Sequence, residues 1–336
     1  MQDIEQQLQQ LVDHKTKPLG SLGQLETLAC QIGKIQHSLT PALHQPTILV
    51  FAGDHGAVAA GISAYPQEVT FQMVMNFLNG GAGINVFCRH NGLDLKVIDA
   101  GVNFDFPDHP LLIDAKVRRS TRNYLDEPAL TGNELQTCLE RADDIVTELA
   151  AGGCNIVGLG DMGIGNTASA SLIMSTLCSI PIARCTGRGA GLDDAQLDQK
   201  IDLLRQAQAR YPDVHTAEQI LQHFGGYEIA MIAGAMLSAY RHRMIIMVDG
   251  FITTAAYLAT VRIKPEVADN AIFCHLSDER GHIRALEFIG AVPLLKLSMR
   301  LGEGTGCALA YPLIRCAVGF MNEMASFDSA HVSSQK

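Results

Sequence analysis

Five short runs of mainly apolar residues constrain the fold of this chain most strongly. They occupy residues 47–51, 95–99, 154–159, 244–248 and 271–275, and stretches with helical spacing lie between them, for example at 66–79, 130–151 and 193–210. Apolar runs of roughly four to eight residues are typical of strands buried on both faces of a sheet. Because strands and helices alternate, the sequence predicts an α/β fold with a mainly parallel sheet flanked by helices.

The two ends of the chain show a different pattern. Apolar residues recur at helical spacing through the first forty-odd residues, where Ser21 is placed to cap the second helix, and the stretch at 305–324 is apolar and helical as well. We expect both ends to form one small helical domain. The chain would then comprise N-terminal helices at 1–42, an α/β domain with the ligand site at 43–300, and a C-terminal helical segment at 301–336.

The balance of charge excludes several classes of partner. Twenty-five Lys and Arg oppose 35 Asp and Glu, which gives a net charge of −10. Nucleic acids and anionic membrane surfaces are therefore poor partners, whereas backbone amides and a few cations can still bind a small anion. No apolar run reaches the about 20 residues of a membrane span. Nine scattered cysteines and a polar N-terminus predict a cytoplasmic protein.

More than half of the 31 glycines fall in clusters, and several clusters follow a predicted strand or precede a helix. The most prominent is residues 158–167, Gly-Leu-Gly-Asp-Met-Gly-Ile-Gly-Asn-Thr, where Asn166 or Thr167 can cap the next helix. Free amides at such a turn can bind a phosphate or nucleotide. Two alternatives stay open, namely a dinucleotide fingerprint and a tight packing turn. The fingerprint lacks its acid about 20 residues downstream, since residues 180–185 contain none.

A second candidate anion site is the glycine-rich segment at 186–191. Gly187, Arg188 and Gly189 lie in it, and Lys200 follows in the next predicted helix. Bare amides and two cations suit a phosphate. The alternative is a flexible loop with solvated cations.

Glu303 is the strongest candidate for acid–base chemistry. It lies between Gly302 and Gly304, so that a ligand can approach closely, and it precedes an apolar helix. Burial there would raise the pKa of its carboxyl and favour a role as general base. The alternative is that Glu303 merely lies in the first turn of that helix, where the helix dipole favours a negative charge. Asp54 and His55 could form an acid–base pair, but they are too few for a metal site, and we predict no metal.

Several segments together match a known family. They are KPLGSLGQLE (17–26), FAGDHG (51–56), YPQEVT (65–70), NGGAGINVF (79–87), GLGDMGIGNT (158–167), GRGAGLDD (187–194), GGYEIAMIAGAML (225–237), VDGF (248–251) and RLGEGTGCALA (300–310). In this order the chain resembles the nicotinate-nucleotide:5,6-dimethylbenzimidazole phosphoribosyltransferase family of cobalamin synthesis. The resemblance implies a Rossmann-like domain with a small helical domain from both termini, a homodimer, and no cofactor. It also implies nicotinate mononucleotide and a benzimidazole-type base as substrates.

The resemblance implies roles for individual residues. Glu303 matches the general base, and Asp161 falls at a second carboxylate that is glutamate in the best-known members. Phosphate and ribose would be held by a set of residues in the two glycine loops and beyond: Gly160, Gly163, Gly165, Asn166, Thr167, Gly187, Arg188, Gly189, Lys200 and Ser277. The base would be held by Tyr65, Gln72, Met73, Gly81 and Leu301, a set that departs from the family pattern.

Two other functions compete with the transferase. An NAD-dependent oxidoreductase rests on Gly158, Gly160 and Gly163 alone. A family member that binds nucleotide without catalysis would be expected to have lost Glu303 or the glycine loops, and both are intact.

Overall fold

The computed structural model describes residues 3–189 and 191–333. Within them, six parallel strands form one sheet in the order β3-β2-β1-β4-β5-β6. The strands are β1 Thr47–Gly53, β2 Asp94–Gly101, β3 Leu112–Asp114, β4 Ile156–Met162, β5 Ile245–Val248 and β6 Ala271–Phe273. The prediction of an α/β fold with a parallel sheet is confirmed, and the strand order is that of the Rossmann fold. The short edge strand β3 was not predicted, because it has three half-exposed or exposed residues and no apolar run.

Helices cover both faces of the sheet. They are α1 Ile4–Asp13, α2 Gln24–Gln36, α3 Glu68–Leu78, α4 Gly83–Asn91, α5 Gly132–Ala151, α6 Asn166–Cys178, α7 Ile182–Cys185, α8 Asp194–Arg210, α9 Ala217–Phe224, α10 Tyr227–Arg241, α11 Phe251–Ile263, α12 His282–Ile289 and α13 Thr305–Glu323, with 3-10 turns at Gly56–Ala60 and Pro265–Asn270. Ser21 does not cap α2. The residue before the helix is Gly23, at φ +54°, and Ser21 belongs to the preceding turn.

Alternate residues of each strand enter two different hydrophobic cores. Leu49 and Phe51 of β1 pack in the core that contains α5, α6, α10 and α11. Ile48 and Val50 face the opposite core, which contains α1 to α4 and α13. Successive side chains of a strand point to opposite faces, so a strand covered on both sides is mainly apolar. This accounts for the mainly apolar runs.

The two ends of the chain meet on one face of the sheet. α13 packs against α2 and α4, and the Nζ of Lys15 donates a hydrogen bond to the carbonyl of Met324 at 2.7 Å. Lys15 also forms an isolated antiparallel bridge with Ser326. These contacts join the terminal helices to each other and to the sheet, while the boundaries at residues 42/43 and 300/301 stay a prediction.

The strand order also locates a crevice. The chain passes from β1 to β2 on one side of the sheet and from β4 to β5 on the other, so the loops that follow β1 and β4 diverge. Ligands of open parallel sheets bind at such a switch point, at the carboxyl ends of the strands. Among residues 3–189 and 191–333, no helix has the length and apolar character to cross a membrane.

Candidate active site

A cavity of about 630 Å³ lies at this switch point. Its walls come from the end of β4, the following glycine turn, the segment around α3, and the loop before α13. The lining residues are Ser63, Tyr65, Val69, Met73, Asp161, Met162, Gly163, Ile164, Gly165, Asn166, Thr167, Gly189, Glu279, Arg300, Leu301 and Glu303. Such a volume is typical of small-molecule sites.

Glu303 lies in this wall with an unusual backbone. Its φ is +64°, and the flanking Gly302 and Gly304 have φ of +81° and +80°. A left-handed conformation at a residue other than glycine costs energy and is frequent at functional sites. The amide of Glu303 donates to the carbonyl of Asp161 at 3.2 Å, which ties the loop to β4.

The carboxyl group of Glu303 is almost removed from water. The residue is 4% exposed, and the amide of Ile84 lies 3.4 Å from Oε2. Burial raises the pKa of Glu303 to about 7, against the smaller opposing effect of that amide. A carboxyl with such a pKa is suited to accept a proton near neutral pH.

Gly160 allows the Glu303 loop to approach the sheet. A Cβ atom at Gly160 would lie 2.3 Å from the amide nitrogen of Gly304 and 2.5 Å from the carbonyl carbon of Glu303. No side chain fits at these distances. Gly160 therefore serves as a packing position for the Glu303 loop.

Asp249 fixes the other side of the same loop. Its carboxylate follows β5, is 1% exposed, and accepts hydrogen bonds from the amides of Gly304 at 3.1 Å, Gly306 at 2.6 Å and Cys307 at 3.3 Å. Burial and the nearby Asp161 raise its pKa, and the three amides oppose the rise. No role was predicted for Asp249, although its position at a strand end was a usable signal.

Asp161 and Asn166 form a second polar group in the wall. Nδ2 of Asn166 donates to Oδ2 of Asp161 at 2.9 Å. Burial raises the pKa of Asp161 to about 7; the bond from Asn166 opposes the rise, and Glu228 and Glu303 add to it. The proposed capping of α6 by Asn166 or Thr167 is wrong, because Gly165, at φ +96°, precedes the helix and both residues lie in its first turn.

A buried ammonium group lies at the start of α6. Nζ of Lys200 donates to Oγ1 of Thr167 at 3.0 Å, and Gly189 of the second glycine loop lies beside both. Lys200 is 2% exposed, and burial lowers its pKa to about 8, with Glu279 opposing the shift. Helix amides and a buried ammonium together favour a phosphate.

Five predicted phosphate residues are not among those that line the cavity: Gly160 and Lys200, described above, and Arg188, Ser277 and Gly187. The guanidinium of Arg188 pairs with Asp194 and donates to the carbonyl of Leu192 at 2.8 Å. Ser277 is buried behind the wall, where its Oγ accepts from the amide of Glu279 at 3.3 Å. Gly187 leaves space for the Glu279 carboxylate, which lies 2.3 Å from the position of an added Cβ.

The predicted base pocket is only partly assembled. Tyr65, Met73 and Leu301 line the cavity. Gln72 and Gly81 are exposed and do not. The helix α3 turns Val69 and Met73 to the cavity, since residues four apart share a face, and this places Gln72 on another face. Gly83, two residues after Gly81, lies close to the carboxyl group of Glu303, with an added Cβ at 3.7 Å from Oε2.

Six lining residues were not assigned to the site from the sequence, namely Ser63, Val69, Met162, Ile164, Glu279 and Arg300. Arg300 is exposed, and its Nη1 donates to the carbonyl of Gly189 at 3.0 Å, so it joins the loop before Glu303 to the second glycine loop. It is the first residue of the segment RLGEGTGCALA (300–310), which was its sequence signal. No group of three or more metal-ligating side chains occurs within the described residues.

A family model described as phosphoribosyltransferase matches residues 1–332. The chain belongs to this phosphoribosyltransferase family. The nicotinate-nucleotide–dimethylbenzimidazole phosphoribosyltransferase of Dechloromonas aromatica is 54% identical over 99% of this chain and 97% of its own length. The enzyme of the same name from Ralstonia nicotianae is 53% identical over 98% and 93%. The crystal structure of CobT from Thermus thermophilus superposes with a TM-score of 0.95 at 39% identity and covers 99% of both chains.

Membership in the phosphoribosyltransferase family confirms the resemblance drawn from the motifs. The glycine turn after β4 borders the same cavity as Asp161 and Glu303. A dinucleotide fingerprint belongs on the first βα turn of a Rossmann fold, whereas Gly158, Gly160 and Gly163 lie on β4 and the turn that follows it. The oxidoreductase alternative has no support in the structure.

Proposed function

We propose that this enzyme transfers phosphoribose from nicotinate mononucleotide to 5,6-dimethylbenzimidazole or a related base. The products would be nicotinate and α-ribazole 5′-phosphate, with inversion at the anomeric carbon, in the nucleotide-loop branch of cobalamin synthesis. The observation that carries the proposal is Glu303, a buried carboxyl with a pKa of about 7 in the wall of the cavity. The names of the similar enzymes point to the same substrates.

The chemistry makes one main demand on an acid–base group. One benzimidazole nitrogen attacks the anomeric carbon, and the bond from that carbon to the pyridinium nitrogen breaks. The electron pair returns to the pyridine ring, so nicotinate needs no proton to leave. The other benzimidazole nitrogen must lose its proton, and the Glu303 carboxylate is the acceptor that we assign. Holding base and nucleotide in line supplies the rest, and such positioning can contribute about 7–11 kcal/mol.

We assign the donor phosphate to the start of α6. Thr167 and the Lys200 ammonium meet there, and the helix amides point the same way. Asp161, near the turn, would face the ribose and its developing positive charge. The base would lie against Tyr65, Met73 and Leu301, and this apolar, half-open wall is compatible with several benzimidazole-type bases.

The assay that tests this function follows nicotinate release by chromatography. Nicotinate mononucleotide is mixed with the protein and with dimethylbenzimidazole, adenine or a phenol in separate reactions. We expect release that depends on the added base, with the new nucleotide formed in equal amount. If none of these acceptors increased the release of nicotinate, the proposed transferase function would be refuted.

Replacing Lys200 by Gln should weaken the binding of nicotinate mononucleotide. A hydrogen bond to a charged group contributes about 1.5–3 kcal/mol, so the KM for the nucleotide should rise by about 10- to 100-fold while the KM for the base changes little. Steady-state kinetics with each substrate varied would measure this. Arg188→Gln is the matched control, because its guanidinium pairs with Asp194 and the carbonyl of Leu192 instead of Thr167. Equal effects of the two variants would contradict the assignment.

We further propose a cytoplasmic homodimer. All nine cysteines, which lie among the described residues, are free thiols, as expected in a reducing compartment. Large apolar side chains are exposed at Leu19, Val292 and Leu301, by 75%, 71% and 59%. We propose these three side chains as candidate contacts of a partner subunit, and Leu301 lies at the cavity. Light scattering after gel filtration would test the dimer, and a mass near 36 kDa would exclude it.

A further inference from the structure

A pair of ionisable side chains lies completely buried beneath the glycine turn. His55 and Glu228 are both 0% exposed, and Nε2 of His55 is 2.6 Å from Oε1 of Glu228. The other imidazole nitrogen, Nδ1, is 3.1 Å from Oγ of Ser169. The three residues come from the end of β1, the start of α10 and the first turns of α6, so the pair joins three elements that converge below the cavity.

Glycines shape the space around this pair. A Cβ added to Gly53 or Gly226 would lie 2.6 or 2.4 Å from Oε2 of Glu228. One added to Gly163 would lie 3.5 Å from Oε1, and one added to Gly165 would lie 3.3 Å from Cβ of His55. The pair therefore packs directly against the backbone of the turn that we assign to the donor phosphate.

The surroundings of the pair favour a charged imidazole. Burial lowers the pKa of His55, but Glu228, Asp54 and Asp161 raise it by more, and the net change is upward. These three acids face the ring from α10, from the end of β1 and from β4. Ser169 on α6 adds a neutral hydroxyl. A buried charge is costly unless it is paired. Loss of the Glu228 carboxylate would therefore displace His55 and, with it, Ser169.

We propose that His55 and Glu228 position the turn at residues 163–167 for the phosphate of the donor nucleotide. His55 holds Ser169, and with it the first turns of α6, while Glu228 supports Gly163 from below. Neither side chain lines the cavity, so both are positioning residues and touch no substrate. This inference rests on the proposed transferase function, to which it adds a positioning role for His55 and Glu228.

Glu228→Gln is the central variant, because the amide fills the same space without the charge. We expect the KM for nicotinate mononucleotide to rise at least about 10-fold while the KM for the base stays within about twofold. The control is Asp143→Asn. That carboxylate joins α5 to the far end of α10 through Ser238 and Arg241, and its loss should lower the melting temperature without changing either KM. An unchanged nucleotide KM in Glu228→Gln, or equal changes in both KM values, would overturn the proposal.

Ser169→Ala covers the case in which Glu228→Gln fails to fold. It removes only the link between His55 and α6, and we expect the nucleotide KM to rise about threefold or more with the base KM unchanged. Calorimetric titration with inorganic phosphate provides a readout that needs no turnover. If the wild type binds phosphate but releases no nicotinate, the transferase proposal fails while the positioning role is still tested. Equal phosphate affinity in the wild type and in the folded variant would refute the positioning role.

Discussion

Replacing Glu303 by Gln should lower kcat by about 10²- to 10⁴-fold, the usual contribution of a general base. Gln is isosteric with Glu and can keep the contact with the amide of Ile84, but it cannot take the proton from the attacking base. We therefore expect the fold and the binding of both substrates to survive. Steady-state kinetics gives kcat, and calorimetry gives the affinity for nicotinate mononucleotide.

The pH profile distinguishes lost proton transfer from a general disturbance. The base is active when deprotonated, and the pKa of Glu303 is about 7, so wild-type kcat/KM should rise with pH up to about 7 and then level off. Glu303→Gln should lose this rise. Glu323→Gln is the control, because Glu323 is an exposed carboxylate at the opposite end of α13. A Glu303→Gln variant with wild-type kcat would remove Glu303 from the base role.

Replacing Gly160 by Ala should abolish most activity although no functional group is lost. The added methyl would meet backbone atoms of Glu303 and Gly304 at 2.3–2.7 Å, and backbone cannot yield as a flexible side chain can. The loop must move away from β4, and the Glu303 carboxyl moves with it. A displacement of about 1 Å can cost about 100-fold in rate, and overpacking destabilises by about 1–3 kcal/mol. Kinetics and urea unfolding would measure both effects.

Gly132→Ala is the matched control for that substitution. Gly132 begins α5, and nothing lies within 4 Å of its added Cβ. Alanine favours helices more than glycine does, so the free energy of unfolding should stay equal or rise by up to about 1 kcal/mol. If Gly160→Ala behaved like Gly132→Ala, the close contact between β4 and the Glu303 loop would have no functional meaning.

The sequence revealed those features of the fold that are encoded locally. Apolar runs predicted β1, β2, β4, β5 and β6, because a strand buried on both faces is mainly apolar. Glu303 was found because its flanking glycines leave the carboxylate open to a ligand. The glycine turn after β4 was found because its bare amides can bind an anion.

Features that depend on long-range contacts were missed or misplaced. Glu228 lies 173 positions from His55, and nothing near Glu228 in the chain indicates its partner. Arg188 was assigned to phosphate by its charge, but its nearer partner is Asp194. Gln72 was assigned by its neighbours, and the helical turn of α3 places Met73 toward the cavity instead. Charge and proximity in sequence do not determine where a side chain points, because that depends on packing.

The meeting of the two chain ends has a consequence for how the protein is made. α1 and α2 leave the ribosome well before α13, which packs against α2. The core on that face of the sheet includes residues of α1, α2 and α13, so it stays incomplete until α13 has been synthesised. Glu303 lies just before α13, so a nascent chain contains the glycine turn after β4 well before it contains the proposed general base. Contacts so distant in sequence close slowly, and catalytic competence would arrive with α13.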